Sequence, residues 1–398
     1  MHADDEDRLR DPGQVLSLSA AAIPWDERSI EVRASTHFWD LLSELDVTLL
    51  VTREYEHLVL ALSAVGGRQS VSCLRVPHPS GLTVDRDRGE VYVACTRNPN
   101  QVLVLAPTTG WLSRGPLEES ADPGAAGLVP TSTRFLPGCL YLHDLAMVRG
   151  RLLANAVGLN AVVDLADGGV RTVWWPRTIE SPAGPDFTMN LLQVNSIAAG
   201  DTLETSFFTA STEHASEHPP GDPRWRVDRQ GVIFSGSTGE VAVRGLTRPH
   251  SARFGPDMRL WVDDSGYGTL NVAEGSASTP VVQLPGWTRG LSVIGRYAIV
   301  GTSRVISRFR SYAPGLDVDS SSCGLHIVDT RSGIVEASIS WPSGNQIFAI
   351  DWLPTSVATS FVGGDPHAMP ASVRSAWFRY RPPGSRVEID TLEFDRYG

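Results

Sequence analysis

The sequence predicts an all-β fold, a six-bladed β-propeller whose last blade is closed by strands from the amino-terminal part of the chain. Two observations lead to this prediction. From residue 46 onwards, short β-branched runs alternate with Asp-Gly, Gly-Gly and Ser-Gly turns, which is the hairpin pattern of antiparallel sheets. In addition, one pattern occurs six times along the sequence: a small or polar residue followed by a short apolar strand.

The recurrences of this pattern are 39 to 63 residues apart. Each interval can hold a four-stranded antiparallel sheet with its loops, which is one propeller blade. Six runs are therefore expected to be the first strands of the blades: "SGLTVD" (80–85), "HDLAMV" (143–148), "NSIAAG" (195–200), "HSARFG" (250–255), "RGLSVI" (289–294) and "FAIDWL" (348–353). A pair of β-sandwiches is the alternative fold, and the regular return of one pattern argues against it.

The amino-terminal part supplies the strands that the sixth repeat lacks. Apolar residues within 35–46 have helical spacing, so a short helix is predicted there. "VTLLVT" and "LVLALSAV" follow it, and we expect these runs to complete the sixth blade and to remove the open sheet edges. The predicted organisation is an irregular lead-in, a single propeller domain and a C-terminal tail packed on the propeller, which correspond to residues 1–35, 36–354 and 355–398.

Composition and charge exclude several classes of partner. The chain has 34 basic and 45 acidic residues, a net charge of −11, and no block of Lys or Arg, which disfavours nucleic acid and anionic membranes as partners. The acidic amino terminus does not resemble a secretory leader, and no apolar run has the length of a membrane span. The cysteines are far apart, which fits a reducing compartment: Cys73, Cys95, Cys139 and Cys323. We therefore expect a cytoplasmic protein with a small-molecule substrate, and leave its oligomeric state open.

The blade starts also predict a site. The innermost strand of each propeller blade lines the central channel, so the first residues of the six strands are expected to converge at one mouth of it. Convergent polar and titratable groups in a concavity are a default candidate for a functional site. The residues at these positions are Ser80, His143, Asp144, Asn195, Ser196, His250, Ser251, Arg289 and Phe348, with Trp287 close to Arg289 in the sequence. The alternative is structural, in which such residues only bond the neighbouring blade or channel water.

Other polar segments fit solvated loops better. His214 and His218 lie four apart, but the sequence that follows them is rich in Pro and Gly. Arg304, Arg308 and Arg310 follow a predicted strand, where they could face an anionic substrate, and a solvated loop is the preferred interpretation. The sequence has no Walker loop, no nucleophile elbow and no Rossmann fingerprint in a strand–helix context, which excludes the usual nucleotide and serine hydrolase sites.

Several motifs resemble those of a family of bacterial proteins of unassigned function. "LHDLAM", "VNSIA", "RPHSARF", "LWVDDSGYG", "LPGWTRGL" and "CGLHIVD" occur in the order of the family's His-Asp, Leu-Asn-Gly, Pro-His-Ser-Pro-Arg, Leu-Asp-Ser-Gly-x-Gly, Pro-Gly-Phe-Thr-Arg-Gly and Cys-Gly motifs. This chain departs from them at Ser196, Ala252 and Trp287. The resemblance supports the propeller and names no reaction. The architecture is more distantly similar to gluconolactonases, which hold a metal in the channel, and to strictosidine synthase, which uses a carboxylate and no metal.

The leading functional hypothesis is an enzyme that uses acid–base chemistry on a small organic molecule in the channel. His143, Asp144 and His250 would be catalytic, with Asp144 raising the pKa of His143. Substrate would be bound by Ser80, Asn195, Ser196, Ser251, Trp287, Arg289 and Phe348. We expect a condensation or cyclisation in specialised biosynthesis, similar to the Pictet-Spengler step of strictosidine synthase, without a cofactor.

Two alternatives remain open on the sequence. The first is a lactonase-like hydrolase or an oxygen-using enzyme with one divalent metal on His143, Asn195 and His250. The second is a propeller that binds a ligand or a protein and has no catalytic activity.

Overall fold

The computed structural model describes residues 27–362 and 380–381, with gaps inside the first range at 98–99, 109, 112–126, 137, 166–168, 219–221 and 223. Most of the predicted lead-in (1–35) and most of the predicted tail (355–398) lie outside the described residues. Within them, the chain forms six antiparallel blades around a central channel, which confirms the predicted fold class.

The first three blades follow one another directly in the sequence, each running from an inner strand at the channel to an outer one. Blade 1 comprises Pro79–Asp85, Glu90–Cys95, Asn100–Pro107 and Gly127–Leu136. Blade 2 comprises Leu142–Val148, Arg151–Ala156, Ala161–Asp164 and Arg171–Trp174, and blade 3 comprises Val194–Ala198, Phe207–Ala210, Gly231–Ser235 and Val241–Leu246. All three inner strands are the ones that the sequence pattern predicts.

The remaining blades close the ring. Blade 4 comprises Pro249–Phe254, Leu260–Asp264, Thr269–Glu274 and Ala277–Gln283, and blade 5 comprises Trp287–Ile294, Tyr297–Ser303, Gly324–Asp329 and Val335–Ser340. In blade 6 the inner strand Ala349–Pro354 pairs with Val47–Arg53, which is followed by Leu58–Val65 and Arg68–Arg75. The predicted closure by amino-terminal strands is therefore confirmed.

Among the described residues, one helix, several 3-10 helices and several two-residue strands accompany the four-stranded blades. The predicted helix is Thr36–Leu45, and its buried face packs on the strands of blade 6. Single 3-10 turns are Glu27–Ser29, Val157–Leu159, Arg177–Ile179, Ser265–Tyr267 and Ser307–Tyr312. Two-residue strands are Arg33–Ala34, Gly110–Trp111, Glu180–Ser181, Gly184–Pro185, Ser360–Phe361 and Tyr380–Arg381. No helix of the described residues is long and apolar enough to cross a membrane.

The inner strands approach one another closely and begin irregularly. A Cβ atom added to Gly81 in blade 1 would lie 2.6 Å from the Cα atom of Asp144 in blade 2, so only glycine fits at this contact. In blades 1 to 5 the inner strand is bulged near its start, where its register with the second strand shifts. A bulge changes the direction in which the neighbouring side chains point. In four blades the residue just before the inner strand also has a left-handed backbone: His78, Tyr141, Gln193 and Arg248.

Side chains of the inner strands, and in two places of the second strands, connect each blade to the next. Ser80 Oγ of blade 1 donates to the carbonyl oxygen of Leu142 in blade 2 at 3.0 Å. Five further bonds continue around the ring, and we call the set the inter-blade belt. They are Ile197 N to Asp144 Oδ2 (2.9 Å), Ala252 N to Ser196 Oγ (3.1 Å), Gly290 N to Ser251 Oγ (2.8 Å), Ile347 N to Ser303 Oγ (3.0 Å) and Thr52 Oγ1 to the Ser80 carbonyl (2.6 Å).

Candidate functional site

A cavity of about 90 Å³ lies where the inner strands begin. Its floor is formed by side chains that meet across the channel, because Arg289 of blade 5 contacts His143 of blade 2. The cavity is lined by Glu54, Tyr55, Tyr141, His143, Gln193, Arg248, His250, Trp287, Arg289, Ser303, Arg304, Val305, Ile306, Phe309, Asn345 and Gln346.

Aromatic side chains from two long connections pack beside the cavity, next to Arg248. Residues 211–230 connect the second and third strands of blade 3, and residues 304–323 make the same connection in blade 5. Trp225 of the first loop and Tyr312 of the second pack edge to face, with ring centroids 5.9 Å apart. Both belong to a buried cluster that includes Trp287 of blade 5. We call the three side chains Trp225, Phe309 and Tyr312 the roof.

Arg289 lies at the floor of the cavity in contact with three side chains from other segments. Its guanidinium carbon is 3.4 Å from the ring centroid of Phe348, and its Nη2 atom donates to His143 Nε2 at 3.2 Å. With its side-chain amide oriented to satisfy both neighbours, Gln346 accepts from Arg289 Nη1 at 2.9 Å. Arg289 is only 8% exposed and forms no ion pair with a carboxylate of the described residues.

Arg248 is a second buried guanidinium at the same cavity. Its Nη1 atom donates to Gln193 Oε1, and its guanidinium carbon lies 4.8 Å from the ring of Tyr312 and 5.2 Å from that of Trp225. Burial and the charge of Arg289 lower the pKa of Arg248 to about 10, so it remains a cation at neutral pH. Within the part of the chain that the structure describes, no carboxylate pairs with it.

The two histidines differ in their hydrogen bonds. His250 Nδ1 is 2.9 Å from the carbonyl oxygen of Arg248, which can only accept, so this nitrogen carries the proton and Nε2 keeps its lone pair. Nε2 of His250 makes no hydrogen bond with the described residues, and the ring lines the cavity. In His143 it is Nε2 that accepts a bond, from Arg289.

Both histidines are held in the neutral form. Burial, followed by the charges of Arg289 and Arg248, lowers the pKa of His143 well below 6.5. The same causes, with a further contribution from His143, lower the pKa of His250 well below 6.5. The ring centroids are 6.0 Å apart, so protonation of one would disfavour protonation of the other. At neutral pH the pair can accept protons and carries no charge.

The carboxylate at the cavity wall is already paired. Glu54 Oε1 lies 3.0 Å from Arg97 Nη2 and 3.8 Å from His78 Nδ1. Its other oxygen accepts from the amide of Gln346 at 3.2 Å, and Gln346 in turn accepts from Arg289. The amide therefore stands between Glu54 and Arg289, and the carboxylate does not contact the guanidinium.

The structure brings together four of the predicted site residues on the cavity wall: His143, His250, Trp287 and Arg289. Phe348 supports them from below, through its contacts with Arg289 and with the ring of His143 at 4.9 Å. Ser80, Ser196 and Ser251 are not part of the wall, because their hydroxyl groups belong to the inter-blade belt. Asn195 is also off the wall, and its Oδ1 accepts from Thr209 Oγ1 at 2.6 Å.

Asp144 does not act on His143. Its two carboxylate oxygens accept from Arg253 Nη1 and Nη2 at 2.9 and 3.0 Å, and it also accepts from the backbone of Ile197. Adjacent strand residues point to opposite sides, which separates Asp144 from the cavity that His143 faces. The prediction that Asp144 raises the pKa of His143 is therefore wrong, since the pKa of His143 is lowered by burial and by arginines.

Four residues that line the cavity were not predicted from the sequence, and each lies two positions before a predicted site residue. Tyr141, Gln193, Arg248 and Gln346 precede His143, Asn195, His250 and Phe348, and all four line the cavity. Three of them, Tyr141, Gln193 and Arg248, directly precede the inner strand with a left-handed backbone, so the positions just before each strand carry the signal that would have found them. The segment after residue 303 was also expected to be solvated, whereas Val305 and Phe309 line the cavity and Tyr312 is buried in the roof.

The residues present do not fit a divalent metal. No group of three His, Cys, Asp or Glu side chains among the described residues is arranged to hold one. Of the predicted set His143, Asn195 and His250, the Nε2 atom of His143 is occupied by a guanidinium hydrogen bond. Two uncompensated arginine charges at the same cavity would also repel a cation.

The fold and the cavity define a six-bladed β-propeller with a polar, roofed pocket in its channel. The chain belongs to the DUF4915 family, whose domain is described as one of unknown function and matches residues 36–361. This agrees with the family of unassigned function that the motifs indicate. No curated protein matches the sequence.

Solved structures with a similar fold have different activities. A chain of a nidogen/laminin complex aligns over 78% of this chain and 99% of its own length, with 9% identity and a TM-score of 0.49. A gluconolactonase from Xanthomonas campestris aligns over 67% and 77%, with 15% identity and a TM-score of 0.42. Virginiamycin B lyase from Staphylococcus aureus aligns over 78% and 99%, with 10% identity and a TM-score of 0.36. At these identities the likeness concerns the fold alone.

Proposed function

We propose that this protein is an enzyme that binds a small organic anion in the channel and removes a proton from it with His250. One observation carries the proposal. Two buried guanidinium groups without a carboxylate partner among the described residues line the same cavity as a neutral histidine, and that histidine's Nδ1–H is held by the backbone.

The buried arginines support an anionic ligand. Removing a charged group from water costs free energy that a protein normally offsets with an opposite charge. Arg248 and Arg289 have polar and aromatic neighbours, but no carboxylate of the described chain lies within ion-pair distance of either. A bound carboxylate would supply the missing charge, because its two oxygens match the N–H donors of a guanidinium.

His250 has the properties of a general base. Its bond to the Arg248 carbonyl fixes both the orientation of the ring and the tautomer, so that Nε2 presents a lone pair. Its lowered pKa keeps that lone pair available at neutral pH. His143 is a positioning residue in this proposal, because its Nε2 accepts from Arg289 and helps to hold that guanidinium in place.

The chemistry that these groups support is proton abstraction next to a carbonyl or carboxylate. The proton moves from carbon to His250 Nε2, the electron pair of the C–H bond forms a double bond to the carbonyl carbon, and the π pair of the carbonyl moves to its oxygen, which gives an enolate. Arginine N–H donors stabilise the negative charge that develops there. Elimination, isomerisation and carbon–carbon condensation all begin with this step, and the condensation or cyclisation expected from the sequence remains a proposal within that set.

Exchange of carbon-bound hydrogen with solvent tests this proposal whatever the final product of the reaction is. A panel of small carboxylic and keto acids is first screened by calorimetry, and the acids that bind are incubated with the protein in D₂O and followed by NMR. We expect loss of the proton signal next to the carbonyl with the parent protein. His250→Gln should retain binding and lose the exchange, because glutamine cannot take the proton.

The control is Arg259→Met, which removes a surface arginine that pairs with Asp257 away from the cavity. This variant should bind and exchange like the parent, whereas Arg289→Met should bind anions weakly. If the panel binds equally to both variants, the anion site is wrong. If acids bind but His250→Gln and the parent show the same exchange as protein-free buffer, the propeller is a binding protein without this activity.

A further inference from the structure

The cavity contains two buried positive charges without an opposite charge from the described residues beside them. A ligand with a single negative charge would compensate only one of the two. The charged residues on its wall are Arg248, Arg289, Arg304 and Glu54. Arg304 is exposed to solvent, and the charge of Glu54 is balanced by Arg97 at 3.0 Å. Two buried cations remain, since both histidines are neutral at pH 7. They also repel each other.

Each guanidinium is anchored separately. Arg289 lies on the ring of Phe348 and bonds to His143 and Gln346, at the floor. Arg248 is held by Gln193 beneath the aromatic rings of the roof. A guanidinium has five N–H donors, of which these partners accept two from Arg289 and one from Arg248. Both guanidinium groups therefore retain N–H donors for a ligand, and their different hydrogen-bond partners hold them on different walls of the cavity.

From this arrangement we infer that the natural ligand is a small dicarboxylate, with one carboxylate at Arg289 and the other at Arg248. The inference rests on the proposed function and adds the substrate class to it. His250 lies near both arginines. Its ring donates to the carbonyl oxygen of Arg248, and its ring centroid is 6.0 Å from that of His143, whose Nε2 atom accepts from Arg289. The carbon between the two carboxylates is then the one presented to its Nε2 atom.

The size of the cavity limits the length of the ligand. Its volume of about 90 Å³ is smaller than the ~150 Å³ cavity that accommodates benzene in another protein. The short dicarboxylates malonate and succinate already have more non-hydrogen atoms than benzene, so they would occupy the cavity only with a shift of the side chains around it, and longer chains would fit less well.

Gln346 preserves the second positive charge. It occupies the position between Glu54 and Arg289 and contacts both, so Glu54 stabilises the guanidinium charge without forming an ion pair with it. Glutamate at this position would place a negative charge against Arg289 with little change of shape. Gln346→Glu is therefore a direct way to fill one of the two anion positions from within the protein.

The experiment compares ligands of similar size and different charge by calorimetry at low ionic strength. Succinate has two carboxylates, and monomethyl succinate has one. We expect succinate to bind the parent protein roughly 10- to 100-fold more tightly, the range given by one additional charge-assisted hydrogen-bonded pair. Arg248→Met, Arg289→Met and Gln346→Glu should each reduce that ratio to near 1, and Arg259→Met should leave it unchanged. Circular dichroism melts establish that each variant is folded.

The outcomes separate the inference from the proposed function. If succinate and its monoester bind equally, and Arg289→Met weakens both, the site takes a monoanion, so the dicarboxylate is wrong and the proposed function stands. If inorganic phosphate or a phosphate monoester binds more tightly than malonate and succinate, a single doubly charged group occupies the site and the inference is overturned. If no acid binds to the folded parent protein, both fail together.

Discussion

At the scale of single residues, hydrogen bonds distinguish two histidines that look equivalent in the sequence. His143 accepts from Arg289 through Nε2, whereas His250 is fixed through Nδ1 and keeps Nε2 for the cavity. Burial and two arginine charges then make both rings neutral. The opposite assignment, with a carboxylate stabilising an imidazolium, would require an acid beside His143, and Asp144 is bound to Arg253 instead.

The first prediction concerns the titration of these rings. In histidine-labelled protein followed by NMR, His143 and His250 should be neutral at pH 7 and should not titrate near pH 6.5, with His250 as the Nδ1–H tautomer. Arg289→Met should raise the pKa of both, because a neighbouring positive charge is lost. Arg259→Met is the control and should leave both unchanged. Ordinary titration of His250 near pH 6.5 in the parent protein would contradict this account.

At the scale of elements, the start of each inner strand performs two functions. The residue before the strand has a left-handed backbone in four blades, and three of these residues, Tyr141, Gln193 and Arg248, line the cavity. The bulge that follows supplies a hydroxyl or carboxylate to the inter-blade belt. Non-glycine residues with positive φ are uncommon and concentrate at functional sites, which agrees with their repetition around the cavity.

The second prediction tests the belt. Ser80→Ala removes a fully buried hydroxyl whose one hydrogen is shared between the carbonyl oxygens of Ala94 and Leu142. We expect the free energy of unfolding to fall by about 1–2 kcal/mol, since buried acceptors lose their partner. Anion affinity should be unchanged, because Ser80 does not line the cavity. Both are measured by urea unfolding and calorimetry.

Ser276→Ala in an exposed turn of blade 4 is the matched control and should alter neither quantity. If Ser80→Ala weakened anion binding while stability stayed constant, Ser80 would have to be returned to the binding site that the sequence predicted for it.

At the scale of the whole molecule, the ring depends on strands that are distant in the sequence. Val47–Arg53 forms the ladder with Ala349–Pro354, and Thr52 also bonds to blade 1 through the Ser80 carbonyl. Apolar residues of these strands are buried on both sides, against blade 5 and against blade 1. Opening this closure would expose two sheet edges and a large apolar surface.

The third prediction follows from this closure. Removal of residues 1–66 deletes Val47–Arg53 and Leu58–Val65, so we expect no cooperative thermal transition and aggregation of the product. Addition of a peptide comprising residues 36–66 should partly restore the transition, which is the control for a specific loss of closure. A monomeric truncated protein that melts like the parent would show that the ring does not need these strands.

The fourth prediction concerns acid. Burial lowers the pKa of His57 to about 3 and that of His326 to about 4, and His143 and His250 are lowered as well. As the pH falls below 6.5 these four histidines take up protons only in the unfolded chain, which destabilises the fold. Burial raises the pKa of Asp264 to about 6 and that of Asp263 well above 3.8, so two protons are bound only in the folded state.

Near pH 5 the unfolded chain therefore gains protons on four histidines, whereas the folded protein holds protons on two aspartates, so the unfolded chain binds more protons in total. Each additional proton lowers the free energy of unfolding by about 1.4 kcal/mol for each unit of pH decrease, so we expect stability to fall between pH 6 and 4.5. Urea unfolding at pH 7, 6 and 5 measures this dependence. His326→Gln, away from the cavity, removes one of these protons and should make the dependence on pH weaker. A free energy of unfolding that stays constant from pH 7 to 5 would contradict the prediction.

The sequence by itself determined the blade number, the six inner strands and the closure. These follow from local patterns, since strand periodicity, turn residues and the spacing of repeats are properties of neighbouring positions. It also indicated that His143, His250, Trp287 and Arg289 belong to one region, because a ring places equivalent positions of successive blades at the same level.

Only the tertiary structure decided the chemistry of the site. Whether Asp144 pairs with His143 or with Arg253, and whether Ser80 faces a ligand or a neighbouring blade, depends on bulges and contacts between segments far apart in sequence. The same holds for Gln346, which stands between Glu54 and Arg289 although the three come from different parts of the chain. Burial and charge are properties of the assembled channel, so the neutral histidines and the two uncompensated arginines emerge only when the ring is closed.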